Sequence, residues 1–149
     1  LPIFRAVLTN LSSLEIPPDY SFHVDFKCNN CGEETKKPAV LNSEETVEGI
    51  RGATVNLRLK CKFCERENDV SIVLGPSRYE GPDWQTIATL ECRGSQPVRW
   101  TVVDSFVAYG MEGFRMDDVE IENGEYFGYD ENLNQEASLE EFESRFERA

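Results

Sequence analysis

Two short strings share one pattern, FKCNNCGE around Cys28 and Cys31 and LKCKFCER around Cys61 and Cys64. Each sets an apolar residue and a lysine before a cysteine, and spaces the next cysteine two residues further on. That spacing lets a tight turn aim both sulfurs, with some backbone amides, at one centre. Two such turns complete a tetrahedron of thiolates, which suits Zn2+, an ion with no redox chemistry and a preference for four sulfur ligands in structural sites. We expect one zinc ion per chain on Cys28, Cys31, Cys61 and Cys64, in a closed site with no position left for substrate. Gly32, just after the first pair, can take the backbone conformation that such a knuckle demands.

Other chemistries compete for the same residues. Cys-x-x-Cys is also the thioredoxin-type redox motif, but that use wants a strand leading into a helix whose N-terminus lowers the first thiol's pKa. Gly32 to Pro38 is too polar and broken for a helix, and Asn68 to Leu74 reads as strand. Four cysteines are also compatible with an iron–sulfur cluster. The gap from Cys31 to Cys61 exceeds the usual zinc-ribbon spacing of about 15–20 residues, and an inserted hairpin or loop around Glu44 to Gly52 would absorb it. Four thiolates on a divalent ion leave about two negative charges to offset. Lys27, Lys36, Lys37, Arg58, Lys60, Lys62 and Arg66 all lie close in sequence to the cysteines. Their other reading is simply that lysines are common beside exposed turns.

The remaining candidates are weaker. Cys92 sits in an apolar-flanked strand segment and is expected to be a core thiol. The only histidine, His23, alternates with the apolar face of its strand beside Asp25, and a surface or half-buried place is expected for it. No glycine loop of the phosphate-cradling kind occurs. We therefore expect no catalytic residues and no enzyme.

These sites need strands to position them. Period-two alternation recurs at Phe22, Val24 and Phe26; at Val55, Leu57 and Leu59; at Val70, Ile72 and Leu74; and at Val98, Trp100 and Val102. Turn signals separate the segments at Pro17-Pro18-Asp19, Gly75-Pro76, Gly81-Pro82-Asp83 and Asn123-Gly124, the last a hairpin candidate. The chain, residues 1–149, reads as one compact, mostly β domain, sandwich-like, of two packed β halves. Those halves, about 1–75 and 84–149, flank a Gly/Pro-rich segment and look like an internal duplication whose second copy has lost its ligands. Phe26-Lys27-Cys28 is echoed by Leu90-Glu91-Cys92, and Val47 to Ile50 by Val107 to Met111. A short C-terminal helix is expected from the capping box of Ser138 and Glu141 and the one-sided spacing of Leu139, Phe142 and Phe146.

At 149 residues the chain can bury a core without help from a metal. Its formal charge of −13, concentrated from Asp117 to Glu147, repels phosphate backbones and anionic membrane faces. Neither nucleic acid nor membrane is an expected partner, and a protein is; the acid also serves as a solvated face. LPIFRAVLTNLSSL carries no basic leader with an apolar core, so a reducing compartment is expected, the cytoplasm and the nucleus as well. The Asn10-Leu11-Ser12 sequon is then expected to stay unglycosylated.

With these residues in hand, the chain resembles the eukaryotic CXXC-motif-containing zinc-binding protein family. The resemblance rests on CNNCGE at Cys28 to Glu33, KCKFCEREN at Lys60 to Asn68, LECRGSQP at Leu90 to Pro97 and GYDE at Gly128 to Glu131. It implies a compact β domain with internal pseudo-two-fold symmetry, one zinc on the four matching cysteines and no established catalytic activity. Trp100 replaces another aromatic, and the tail after Glu131 is more acidic and helical than the resemblance implies. The functions left are a zinc-stabilised, non-enzymatic protein-binding module; a metal-handling protein that donates or accepts zinc; and, third, a thiol oxidoreductase or a hydrolase.

Overall fold

Two long strands, each bent at a single residue, organise the molecule. The computed structural model describes residues 2–49, 52 and 54–147, and among them the regular structure is strand and turn, with a 3-10 conformation at Gly52 and no α-helix. The first long strand is β1 (Pro2–Thr9) and β2 (Leu11–Glu15), broken only at Asn10, whose φ is 58°. The second is β11 (Ala88–Arg93) and β12 (Ser95–Thr101), broken only at Gly94, with φ 83°. A left-handed residue turns the chain sharply, so each long strand leaves one sheet and enters another.

Between them lie β3 (Ser21–Cys28), β4 (Ala39–Asn42), β5 (Val47–Glu48), β6 (Thr54–Val55), β7 (Leu57–Lys60), β8 (Glu67–Leu74), β9 (Arg78–Tyr79) and β10 (Gln85–Thr86). After the second long strand come β13 (Phe106–Gly110), β14 (Arg115–Val119), β15 (Tyr126–Asp130) and β16 (Gln135–Phe146). Sheet orders are β10-β1-β16-β15, β14-β13-β2-β9, β12-β3-β4 and β11-β8-β7, with β5-β6 a separate pair. All the pairings are antiparallel.

The two halves trade partners. β12 and β11 pair with β3 and β8 of the first half, while β2 and β1 pair with β13 and β16 of the second. The pattern is pseudo-two-fold, as expected, but the residue echoes are different. β11, which carries Cys92, matches β1, so Cys92 is no counterpart of Cys28; that place, the end of β13, holds Gly110. The proposed echo of Val47 to Ile50 ends at a residue outside the described ones. The Gly/Pro-rich segment is more than a link, since β9 within it closes the edge beside β2; β10, just after it, closes the edge beside β1. The hairpin β5–β6 lies in the long gap between the cysteine pairs.

The expected C-terminal helix is a strand. β16 lies between β1 and β15, and Leu139 faces Leu8 and Tyr126. Its inward positions are Ala137 and Leu139, then Phe142, Ser144 and Phe146. A bulge at Glu141–Phe142, opposite Ala6 at the register shift between Arg5 and Val7, inserts one residue, and Glu141 has φ 55°. One extra residue in a period of two puts Leu139 and Phe142 three apart on one face, which imitates a helix. A second bulge, between Pro97 and Arg99, turns Val98 outward to 39% exposure while Trp100 stays buried. Asn123 and Gly124 both have positive φ, the type I′ geometry expected of the pair, and Glu122 and Glu125 exchange both backbone hydrogen bonds.

The core is continuous across the sheets. Phe4 stacks on Phe142 at 5.2 Å, Tyr20 on Phe106 at 4.9 Å, and Phe22 lies 5.4 Å from Trp100. Val70 and Ile72 of β8 belong to the same buried cluster. Asn10 of the sequon sits at the bend, where its Nδ2 donates to the Glu136 carbonyl at 2.8 Å.

Candidate metal centre

Both cysteine pairs lie in turns that close antiparallel strands. The first turn joins β3 toward β4, the second joins β7 to β8, and the two have the same backbone. Cys28 N donates to Glu33 O and Gly32 N to Cys28 O; Cys61 N donates to Arg66 O and Glu65 N to Cys61 O, all at 2.8–2.9 Å. The fifth residue of each is left-handed, Gly32 at φ 80° and Glu65 at φ 61°.

The bend at Gly94 brings the turns together. β12 pairs Ser95 with Cys28, β11 pairs Arg93 with Asp69 on the strand after Cys64, and Asn29 N donates to Gly94 O at 2.9 Å. Cys28 Sγ lies 3.8 Å from Cys64 Sγ, and Cys31 Sγ lies 3.5 Å from Cys61 Sγ. All four sulfurs fall within 4.8 Å of one another. Sulfurs placed about 2.3 Å from a central zinc stand about 3.8 Å apart at tetrahedral angles, so the donor set and its spacing fit the ion. Cys28 is buried and the other three are half-buried.

Backbone amides supply the electrostatics. The amides of Cys31 and Asn30 hold the Cys28 thiol down to about 6. The Asn30 side chain and the Arg66 amide lower Cys64. The Glu33 amide pulls Cys31 the same way, but burial and the sulfurs of Cys61, Cys64 and Cys28 outweigh it and push that thiol up to about 12. Crowded thiols share negative charge badly, and a bound dication removes that conflict.

Two contributors escaped the sequence reading. The carboxamide of Asn68, 2% exposed, lies against Cys28, its Nδ2 donating to Cys28 Sγ at 3.9 Å. It lies in the polar start of β8, Glu67-Asn68-Asp69, where no sequence signal sets it apart from its neighbours. Arg66, expected to supply only charge, donates to Asn30 Oδ1 at 3.2 Å and so ties one turn to the other.

Of the weaker candidates, His23 is half-buried, and Asp25 accepts hydrogen bonds from Arg99 at 3.1 Å and Thr35 at 3.4 Å. Cys92 lies on β11 outside the cluster, half-buried against the core, and burial pushes its thiol up to about 11. At pH 8 it carries about a hundredth of the thiolate of an ordinary cysteine. Iodoacetamide is expected to label it about a hundredfold more slowly than a free cysteine, and the rate should climb until pH passes 11; peptide mass spectrometry would measure it. The same shift makes a sign for stability. The folded state holds this proton more tightly, so the contribution is intact below the unfolded thiol's pKa and is lost as pH rises through about 11.

A family model described as "CXXC motif containing zinc binding protein, eukaryotic" matches residues 3–147. The chain belongs to this family. A Drosophila melanogaster relative, a UPF0587 protein, is 35% identical over 95% of this chain and 91% of its own length. The human CXXC motif containing zinc binding protein is 30% identical over 95% of this chain and 93% of its own. Among solved structures, the crystal structure of C1orf123 superimposes with a TM-score of 0.88 at 26% identity, covering 99% of this chain and 98% of that one. A Plasmodium falciparum protein with TM-score 0.86 and 18% identity shares the fold.

Within this CXXC family fold, the matched turn of the second half is instructive. Asp130 to Gln135 has the length of Cys61 to Arg66 and a left-handed residue at the same place, Asn134 at φ 50°. Asp130 Oδ1 accepts the amides of Asn132 at 3.0 Å and Leu133 at 3.1 Å, as Cys28 Sγ accepts those of Asn30 and Cys31. A carboxylate closes by itself the kind of turn that in the first half presents a sulfur.

Glu65 holds a conformation that costs a side-chain-bearing residue about 1 kcal/mol, where its twin is Gly32. Glu65→Gly is expected to raise stability by about 0.5 kcal/mol, the relief being partly offset by backbone entropy. Urea unfolding should show a higher midpoint at unchanged slope.

Proposed function

We propose that Cys28, Cys31, Cys61 and Cys64 hold one structural zinc ion per chain, and that the chain acts as a non-enzymatic module for binding another protein. The observation that carries this is the pairing of sulfurs across two turns from different sheets, β12-β3-β4 and β11-β8-β7. An ion there crosslinks those sheets, and four thiolates fill its coordination, which leaves no position for a substrate. The family's zinc-binding character supports the choice of metal. The acidic surface, from a charge of −13, suits a basic partner protein.

A metal-handling role is the second reading, favoured by the half-exposure of Cys31, Cys61 and Cys64. Elemental analysis of protein purified without added metal, then chelator-driven release followed by circular dichroism, separates the two. One zinc per chain, leaving slowly and together with β structure, supports the structural site. Fast release from a folded chain moves the reading to metal transfer, and absence of zinc overturns both.

A further inference from the structure

All five lysines of this acidic chain, Lys27, Lys36, Lys37, Lys60 and Lys62, lie within 36 residues of sequence. Four of them, all but Lys27, line one cavity of about 450 Å³ beside the two cysteine turns. Among the described residues none of the four is in an ion pair, although the arginines nearby are: Arg58 with Glu67, and Arg99 with Asp25 and Glu34. Neither does a lysine hydrogen-bond to a sulfur among the described residues; the sulfurs take amides and the Asn30 and Asn68 carboxamides instead. The lysines therefore face the cavity with charge that the metal centre does not use. Glu33 and Glu34 also line it, but Glu34 is already engaged by Arg99 at 3.4 Å.

A second observation is independent of charge. Ser95 lines the same cavity, is 4% exposed, and its Oγ is buried without a hydrogen-bond partner. A buried hydroxyl left unpaired costs about 1–3 kcal/mol, so its presence points to a ligand that completes it. The lining also has apolar side chains: Phe26, Ala39, Leu59 and Phe63, the last 73% exposed. An apolar chamber of this size, with a few convergent polar groups, is the usual form of a small-molecule site.

We infer that this cavity binds a small organic anion, a carboxylate on an apolar body, with the lysines and the Ser95 hydroxyl taking the carboxylate and Phe26, Leu59 and Phe63 enclosing the body. Cys28 and Cys61 share its wall, so the inference rests on an ordered metal centre, and zinc content is measured in every sample to keep the two readings apart.

The test is titration of the full chain with octanoate, followed by amide chemical shifts in heteronuclear NMR, beside 1-octanol (the body without charge) and sulfate (charge without the body). Saturable shifts at Lys36, Lys60, Lys62 and Ser95 with octanoate, and neither control matching its affinity, are expected. The variant Lys36→Gln/Lys62→Gln alters only exposed side chains; it should keep its zinc and bind octanoate at least about tenfold more weakly. Ser95→Ala should weaken binding by about threefold or more at unchanged zinc content. Equal binding of sulfate would reduce the site to a bare lysine patch, and equal binding of octanol to an apolar one. Either result overturns the inference, as do shifts away from the cavity, no saturable binding, or lysine and serine variants that bind like the parent while retaining zinc.

Discussion

Replacing Cys28 by Ser is expected to take zinc content from one ion per chain toward none and to lower Tm by roughly 10–15 °C. Cys28 ends β3, pairs with Ser95 on β12, and is the most buried of the four thiols. A serine hydroxyl stays protonated at neutral pH and is a poor zinc ligand, so the tetrahedron loses a thiolate and the remaining three sulfurs are left crowded. The rest of the chain keeps the aromatic core built on Phe4, Tyr20, Trp100 and Phe106, and so the loss should be partial. Far-UV circular dichroism should retain most of the β signal at 20 °C, while the turns at residues 28–33 and 61–66 lose hydrogen-exchange protection. Cys92→Ser is the internal control and should leave zinc content unchanged. A Cys28→Ser chain with full zinc and unchanged Tm would remove the structural role proposed for the ion.

How much of this could be seen in the sequence depends on how local each feature is. The two cysteine turns are short-range motifs, each complete within six residues, and spacing alone marked all four cysteines that the fold brings together. Strand alternation was legible for the same reason at Phe22, Val24 and Phe26, all buried. The exchange of strands between halves was hidden, because β1 with β16 and β3 with β12 are pairings between distant segments that no local pattern encodes. Bulges misled for a more specific reason. One inserted residue at Glu141–Phe142 converts a period of two into a spacing of three, and an amphipathic strand then reads as a helix with a capping box.

The site shows the same division. Asn68 and Ser95 act through positions that only the pairing of β8 with β11 and β12 with β3 brings near Cys28. The lysines were visible as neighbours of the cysteines, but that four of them share one cavity is a property of the turns' arrangement. The second half is further from legibility. Gly110 in the place of Cys28, with Asp130 closing its own turn, carries no sequence likeness to a cysteine knuckle. A Cβ built on Gly110 would meet Asp130 Oδ2 at 2.1 Å, so the missing side chain at one position makes room for the carboxylate at the other.

Gly94→Ala is expected to cost about 3–5 kcal/mol, lower Tm by roughly 10–15 °C, and speed chelator-driven zinc release. Two separate penalties add. At φ 83° a residue with a Cβ is strained by about 1–2 kcal/mol. The new methyl would also lie 2.1 Å from Asn68 Oδ1, and Asn68 is 2% exposed, wedged between Cys28 Sγ and Gly94 itself, so it has nowhere to go. Two further variants separate the terms. Gly94→Asn supplies a residue type that tolerates the left-handed region, as Asn10 does at the matching bend with φ 58°, yet it keeps the collision. Gly94→Ala/Asn68→Ala removes the collision and keeps the strain. If the close approach dominates, the double variant recovers more of the lost Tm than Gly94→Asn avoids losing; if backbone conformation dominates, the order reverses. Zinc release gives an independent reading, since the Gly94 carbonyl receives Asn29 N at 2.9 Å and positions the first cysteine turn. A Gly94→Ala chain as stable as the parent, with unchanged release, would mean that the bend between β11 and β12 does not set the distance between the two cysteine turns.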